Sequence, residues 1–242
     1  MRREAIQHVP LPFLPMEYSV QVRMNEKLFL RDPEQSELGR RIIREGIQLI
    51  SEIGLEETTF RKLAERINTK EASIYRYFEN KHRLLVYLVA WYWQWLDFQV
   101  VFDTNNLTDP REKLERVLRI LLQTNAALPA TPDEINLKAL HNVVICEASK
   151  AYLTRHVTDD NRQQLFKPYK DLTARIAAII LEVKPTYPYA RSRASSLIET
   201  AHYQAFFMRH LPSLTDFGQA GNDSELLGFL RHLLFSTLDA TR

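Results

Sequence analysis

The sequence contains few of the residues that cross-link a chain or let it turn sharply, and no run long enough to cross a membrane. A single cysteine, Cys146, stands among 242 residues, so no disulfide can form within the chain, which suits a reducing cytoplasm. Only six glycines are present. The apolar run over 84–96 is too short and too aromatic for a bilayer core of ~30 Å. Prolines interrupt the apolar stretch after Arg2 and Arg3, so no secretory signal is predicted.

Net charge is also small. The formal charge is +2, although 26% of the residues are charged, so a nucleic-acid surface would have to be a local basic patch. Hydrophobic residues make up 45% of the chain, as in an ordinary soluble globular protein. The length allows one large or two modest domains with a well-buried core.

Motifs for catalysis or metal binding are missing as well. No nucleophile elbow and no glycine-rich phosphate loop occur in the sequence. His141 shares a predicted helix face with position 145, which is Ile, so the pair of metal ligands is incomplete. His202 and His210 lie on one face without a third ligand. We therefore predict no enzyme, no metal site and no cofactor, with Cys146 a small core residue.

The rest of the chain is organised around the stretch 58–81, which predicts two short helices joined by a tight turn and followed by a third helix. Ile74 and Phe78, four residues apart, place apolar groups on one face of the second helix. Asn68 tolerates the left-handed backbone that ends a helix, and Thr69 can cap the next one. The pattern is that of a helix-turn-helix.

The outward side of this hairpin carries cations, hydroxyls and aromatic hydroxyls, which can contact phosphates and base edges in a major groove. An alternative is a solvated helical hairpin in an ordinary all-helical protein. We expect Tyr75, Tyr77 and Lys81 to contact the DNA backbone, and Lys70, Ala72 and Arg76 to read bases. The predicted DNA-contacting residues are Thr59, Phe60, Arg61, Lys70, Glu71, Ala72, Ser73, Tyr75, Arg76, Tyr77 and Lys81.

The same residues carry a family resemblance. The runs 59–64 and 73–78, followed by Asn80 and Lys81, resemble the TetR/AcrR family of transcriptional regulators, and Ile-Tyr-x-Tyr-Phe-x-x-Lys is the most specific part of the pattern. The resemblance covers 37–85, about a fifth of the chain. Asn68 stands where that family usually has Gly. The resemblance implies a dimer whose variable later region binds an effector.

The predicted fold is all-α, with about nine helices. It comprises an N-terminal extension over 1–31, a helix-turn-helix DNA-binding domain over 32–82, and a helical effector-binding and dimerisation domain over 83–242. Alternation over 18–24, a turn and a return strand at 28–30 predict a small β-hairpin in the extension. Capping or proline signals predict helix starts at Asp32, Asn80, Asp109, Thr131, Asp159, Pro188 and Asn222, with a kink at Pro168 and a helix end at Gly54.

The last two helices have more apolar surface than one partner face needs. Pairing with their twofold mates in a four-helix bundle would bury the surplus, which predicts a homodimer through these helices. An alternative is that both are central helices of one core. A small-molecule pocket is predicted between the middle helices, although each lining residue could equally be plain core. The candidates are Trp91, Trp95, Phe98, His141, Tyr152, Tyr169, Tyr203 and Phe207.

Two functions follow from these features. The first is a dimeric, ligand-responsive regulator, a repressor, that binds double-stranded DNA at a pseudo-palindromic operator in the cytoplasm, without a membrane partner. Its two recognition helices would enter successive major grooves about 34–36 Å apart. The second is a helical dimeric ligand-binding or scaffold protein that does not bind DNA, for which Glu71 and the weak net charge leave room. A steep salt dependence of binding would distinguish the first from the second.

Overall fold

The computed structural model describes residues 24–122, 135–218 and 223–239. Over these ranges the chain is all-helical, as the sequence predicts, with eleven α-helices, three short 3-10 helices and no strand. The α-helices are α1 (Glu37–Glu57), α2 (Phe60–Arg66), α3 (Glu71–Tyr75), α4 (Lys81–Thr104), α5 (Pro110–Leu121), α6 (Leu137–Glu147), α7 (Ser149–Tyr152), α8 (Val157–Arg162), α9 (Lys167–Val183), α10 (Ala190–His210) and α11 (Asp223–Asp239).

Two predicted helices are divided, which raises the number of helices in the described ranges above the expected nine. The helix expected to run from Asp159 is broken into α8 and α9, and Gln164 in the break has a left-handed φ of 62°. Pro168 starts α9 instead of kinking a longer helix, because proline in the first turn lacks only an N–H that has no helical acceptor there. The helix expected to end near Tyr152 is divided at Ala148 into α6 and α7.

Helix α1 differs from its prediction at both ends. Asp32 begins only a 3-10 turn over Pro33–Gln35, and Ser36 is the residue that caps α1, accepting from the Gly39 N–H at 3.1 Å. Gly54, the predicted end, is a break with φ 77° and ψ 164°, after which the helix resumes as far as Glu57. A positive φ favours glycine, so this residue sets the bend before α2.

The predicted β-hairpin is wrong where it can be compared. Most of its first strand lies outside the described residues. The predicted turn and the first residue of the return strand form a 3-10 helix over Glu26–Leu28, capped by the Asn25 side chain, and Phe29 follows with extended backbone but in no strand. Leu28 is buried in the core, and the Leu30 N–H then bonds the Tyr77 carbonyl at 2.7 Å, so this segment packs on the helices without forming a sheet.

Helix α4 lies at the centre of the molecule. All residues from 84 to 93 are buried, because α1 packs against its first half and α5, α6, α7 and α9 pack around the remainder. Near its start, Leu84 approaches Gly46 of α1, and the Tyr87 ring lies edge-on to Phe78, 5.4 Å between centroids. No helix within the described ranges has the length and apolar character needed to cross a membrane.

Helices α10 and α11 pack side by side, and α10 also packs against α9 and α6. Their inner residues, such as Leu197 and Leu230, are buried, whereas large apolar side chains remain on the outside of α10 and the segment after it. Tyr203 is 46% exposed, Leu211 45% and Leu214 57%. The outer side of α10 and the segment after it therefore present apolar side chains to their surroundings.

Candidate nucleic-acid interface

The helix-turn-helix is formed by α2, a tight turn and α3. Thr59 caps α2, its side chain accepting from the Lys62 N–H at 3.2 Å. The turn depends on Asn68, which adopts φ 49°, while the Thr69 N–H returns to the Ala64 carbonyl at 2.9 Å. Lys70, not Thr69, is the residue before α3, and it forms no side-chain cap.

Two of the predicted DNA-contacting side chains lie inside the domain. Phe60 is 4% exposed and packs edge-on against the Tyr75 ring, 5.0 Å between centroids. Tyr77 is 3% exposed, and its hydroxyl lies 2.7 Å from the Ser36 Oγ. Both rings hold α3 against its neighbours, because a buried aromatic ring removes a large apolar area from water. Their side chains are therefore not available to a ligand at the surface.

The remaining residues of the hairpin form a continuous exposed surface. We define the α3 surface as Lys70, Glu71, Ala72, Ser73, Tyr75 and Arg76, of which all but the half-buried Ser73 are exposed. Within the described part of the chain, neither Lys70 nor Arg76 has an ion-pair partner. Thr59 and Arg61, at the start of α2, are also exposed, and Arg61 pairs with Glu65 at 3.1 Å. The α3 surface thus presents two cations, one carboxylate and one phenol.

Lys81, predicted to contact phosphate, is half-buried and bonds the backbone. Its Nζ lies 2.9 Å from the Leu55 carbonyl and 2.8 Å from the Glu56 carbonyl. An ammonium group has three donors, so one remains for another acceptor. In the structure, the first role of Lys81 is to tie the start of α4 to the end of α1.

An ion-pair network that the sequence reasoning missed joins α2 to α1. The Arg66 guanidinium lies 2.9 Å from Glu45 and 2.6 Å from Glu52. The hydrogen bond to Glu52 is the largest of the effects that raise the pKa of Arg66. Arg41 of α1 also donates to the Ile67 carbonyl at the end of α2. These contacts set the angle of α2 on α1, and no local spacing could have indicated them.

The predicted ligand-binding residues do not form one site. Trp91, Trp95 and Phe98 stack along one side of α4, with centroids 6.1 Å and 5.9 Å apart. Tyr203 and Phe207 stack on each other along α10, where Tyr203 is 46% exposed and Phe207 is half-buried. His141, Tyr152 and Tyr169 belong to a second group in the interior, to which the structure adds residues that were not predicted.

The interior group centres on two neutral histidines. The Tyr92 hydroxyl lies 2.6 Å from the His141 Nδ1, and the His141 and His202 rings are 5.8 Å apart. Burial lowers the pKa of His141 to about 4, with a further contribution from Arg209. Burial also lowers the pKa of His202 to about 3, helped by His141. Both rings are therefore uncharged at neutral pH.

Two polar atoms of this group lack a hydrogen-bond partner among the described residues: the Nε2 of His202 and the Nε1 of Trp93. Trp93 stacks on Tyr169 at 4.8 Å and lies 5.2 Å from His202, ring to ring. The sequence showed the aromatic run on α4 but not which ring met which histidine. Buried polar atoms without partners are uncommon and mark a place where a ligand or water can bind.

Beside Trp93 lies a narrow apolar pocket with room for about one water molecule. Tyr152, Phe166 and Tyr169 contribute to its wall. The Tyr152 and Tyr169 hydroxyls donate to Glu199 at 3.3 and 2.6 Å, and burial, together with Glu199, raises the pKa of both tyrosines. In the described ranges, no group of three or more His, Cys, Asp or Glu side chains is placed to hold a metal.

Comparison with known proteins agrees with this geometry. Residues 42–88 match the family described as bacterial regulatory proteins, tetR family. Over 44 residues the chain is 41% identical to the tetracycline repressor protein class G of Vibrio anguillarum, which covers 18% of this chain and 21% of the repressor. The match thus spans about a fifth of the length of that repressor.

Solved structures extend the likeness to the whole fold. The fatty acid degradation regulator FadR from Bacillus halodurans is 20% identical with a TM-score of 0.58, covering 84% of this chain and 98% of that one. AibR in complex with isovaleryl coenzyme A and operator DNA is 15% identical with a TM-score of 0.56, covering 81% and 98%. At these identities the likeness is one of fold. Residues 42–88 are therefore similar to the tetR family of bacterial regulatory proteins, and the described helices share their fold with these two structures.

Proposed function

We propose that the chain is a ligand-responsive transcriptional regulator that binds a pseudo-palindromic DNA site as a homodimer. The observation that carries the proposal is the α3 surface, where Lys70 and Arg76 are exposed on a helix held from behind by Ile74. Such a helix can enter the major groove, with cations to contact guanine edges or phosphates. Residues 32–82 act as the DNA-binding head in this proposal, and 83–242 as the body.

Within the head, the buried rings and the exposed polar groups have separate roles. Lys70, Ala72 and Arg76 read bases, while Tyr75 contacts the DNA backbone. Thr59, Arg61, Glu71 and Ser73 lie close enough along the same side to contribute. Lys81 adds its remaining donor to a phosphate while it holds the α1–α2 junction. Phe60 and Tyr77 support α3 from inside.

Dimerisation uses the exposed apolar side of α10 together with α11, whose Phe229, Leu233 and Phe235 are half-buried. Tyr203, Leu211 and Leu214 are exposed there, and their burial by a twofold mate would remove apolar surface from water. A four-helix bundle of this kind would hold two α3 helices apart at about one turn of DNA, 34–36 Å. The position of the mate determines whether both heads reach their grooves.

The effector is proposed to bind near the interior histidine group. The unpartnered Nε2 of His202 and Nε1 of Trp93, next to the apolar pocket, offer polar contacts inside a mostly apolar wall. AibR, a structural neighbour, is seen with isovaleryl coenzyme A and operator DNA together, which supports a small-molecule effector here without naming it. Effector binding would favour a dimer whose heads are wrongly spaced, so the protein acts as a cytoplasmic repressor.

The test begins with duplexes that the protein itself selects from a random-sequence pool. Arg76→Ala and Lys70→Ala should each weaken binding to the selected duplex about ten- to a hundredfold, since each removes a major-groove cation. Arg162→Ala is the matched control, because Arg162 is an exposed arginine of α8 that pairs with Asp159. Retention of full affinity by Arg76→Ala would contradict the assignment.

A second function, a helical dimer that does not bind DNA, is favoured by one observation. Glu71 places a carboxylate in the middle of the α3 surface, where it would repel phosphates. A salt titration separates the two functions, because DNA binding weakens steeply with salt as bound counterions are released, with a slope of about −0.9 per phosphate contacted. A chain that enriches no duplex from the pool supports the second function.

A further inference from the structure

The junction between α1 and α2 is bonded to the body at one backbone N–H. Gly54 breaks the ladder of α1 with its φ of 77°, and the next N–H, that of Leu55, donates to the Glu147 carboxylate at 3.1 Å. Glu147 is the last residue of α6, 92 positions away, and is 7% exposed. A buried N–H that has left a helix needs an acceptor, and here another helix supplies it.

Gly54 and Glu147 pack closely against each other. A Cβ on Gly54 would lie 3.3 Å from the Glu147 Oε1, tighter than most such contacts, so the approach of the carboxylate depends on glycine. The other carboxylate oxygen of Glu147 pairs with Lys150 at 2.8 Å. Because the acceptor is charged and lies in a poorly solvated place, the bond to Leu55 belongs to the stronger class of hydrogen bonds.

Helix α6 also contacts the interior group. On one side, Asn142 of α6 donates to the Ser51 Oγ of α1 at 3.2 Å, so α6 lies along the head. On the other side, His141 meets Tyr92 of α4 and His202 of α10. The Leu55 carbonyl, meanwhile, accepts from Lys81 of α4. The junction is thus held from α6 through its N–H and from α4 through its carbonyl.

We propose that Glu147 is a positioning residue for DNA binding, through which α6 fixes the α1–α2 junction and so the placement of the α3 surface. This inference rests on the proposed DNA-binding function. A movement of α6, such as an occupant beside His141 would cause, changes the distance from Glu147 to Leu55. The junction then loses its bond to Glu147, and α3 no longer presents a single orientation to the groove.

The experiment compares three variants of the full chain by amide hydrogen exchange of peptides covering 54–59 and by affinity for the duplex selected by the wild type. Glu147→Met keeps the side-chain length but has no acceptor oxygen. We expect both faster exchange at Leu55 and a loss of duplex affinity of about tenfold or more. Glu147→Gln keeps an acceptor oxygen and should restore both readouts to within about threefold. Lys167→Ala, which removes only an exposed ion pair with Asp171 within α9, should change neither.

The outcomes separate this inference from the proposed function. If the wild type selects no duplex, the regulator proposal fails first. If it does, unchanged affinity in Glu147→Met overturns the positioning role, whether or not exchange at Leu55 rises, because a purely structural bond would raise exchange alone. Should Glu147→Met fail to fold, Glu147→Asp shortens the side chain by one methylene and draws the acceptor away from the Leu55 N–H. That variant should raise exchange and weaken duplex binding, and wild-type values in it overturn the proposal.

Discussion

Acid should destabilise this protein through its two buried histidines, and the size of the effect follows from their environment. His141 and His202 have folded pKa values of about 4 and about 3, against about 6.5 in an unfolded chain. The unfolded chain therefore binds protons first as the pH falls. The stabilising effect of the neutral rings is fully present above pH 6.5 and is lost progressively below it, down to the folded values.

The magnitude is set by the gap between the unfolded pKa and the working pH. At pH 5 the gap is about 1.5 units, and each unit corresponds to about 1.36 kcal/mol, so each histidine costs about 2 kcal/mol of unfolding free energy. The two rings together cost about 4 kcal/mol. That is a large share of the roughly 5–15 kcal/mol that is typical for a folded domain.

The assay is urea unfolding at pH 7, 6 and 5 at one fixed protein concentration, because dimerisation would make stability depend on concentration. His202→Leu removes one titrating ring, so its loss of unfolding free energy between pH 7 and pH 5 should be about 2 kcal/mol smaller than that of the wild type. His156→Gln, at an exposed position of the body, is the control. Equal losses in the wild type and in His202→Leu would refute the reasoning.

Two further predictions concern the head. Asn68→Val should lower the free energy of unfolding by about 1–2 kcal/mol, because a β-branched residue is strained at φ 49°. Asn68→Gly should stay within about 1 kcal/mol of the wild type. Thermal unfolding measures both variants, and a Val variant as stable as the wild type would contradict the role of the turn. Tyr77→Phe removes the hydroxyl that is bonded to Ser36. It should lower the free energy of unfolding by about 1 kcal/mol and leave the affinity for the duplex unchanged. A loss of affinity at unchanged stability would instead place that hydroxyl at the DNA.

The head could be predicted from sequence because its determinants are local. The spacing of Ile74 and Phe78, the left-handed Asn68 and the pattern that ends at Lys81 all act within one or two helical turns. Phe60 and Tyr77 could not be placed correctly in this way. Their burial depends on Tyr75 and Ser36, and a tyrosine hydroxyl can be satisfied either by solvent or by an internal partner.

The body was predicted only in outline, because its contacts join residues far apart in sequence. The bond from Leu55 to Glu147 and the meeting of Tyr92 with His141 depend on how helices are arranged in three dimensions. The break at Gln164 has no glycine or proline of its own to announce it. Pro168 indicated a discontinuity in the helix expected from Asp159, but it did not indicate that a new helix would begin there.

The burial of α4 on all sides also determines how the protein can be divided. Leu84 fills the space beside Gly46, and Tyr87 packs against Phe78 and donates to Glu34, so the base of the head is built from residues beyond position 82. A fragment cut at that position would leave those apolar contacts facing water. Any excised DNA-reading unit must therefore retain at least the first two turns of α4.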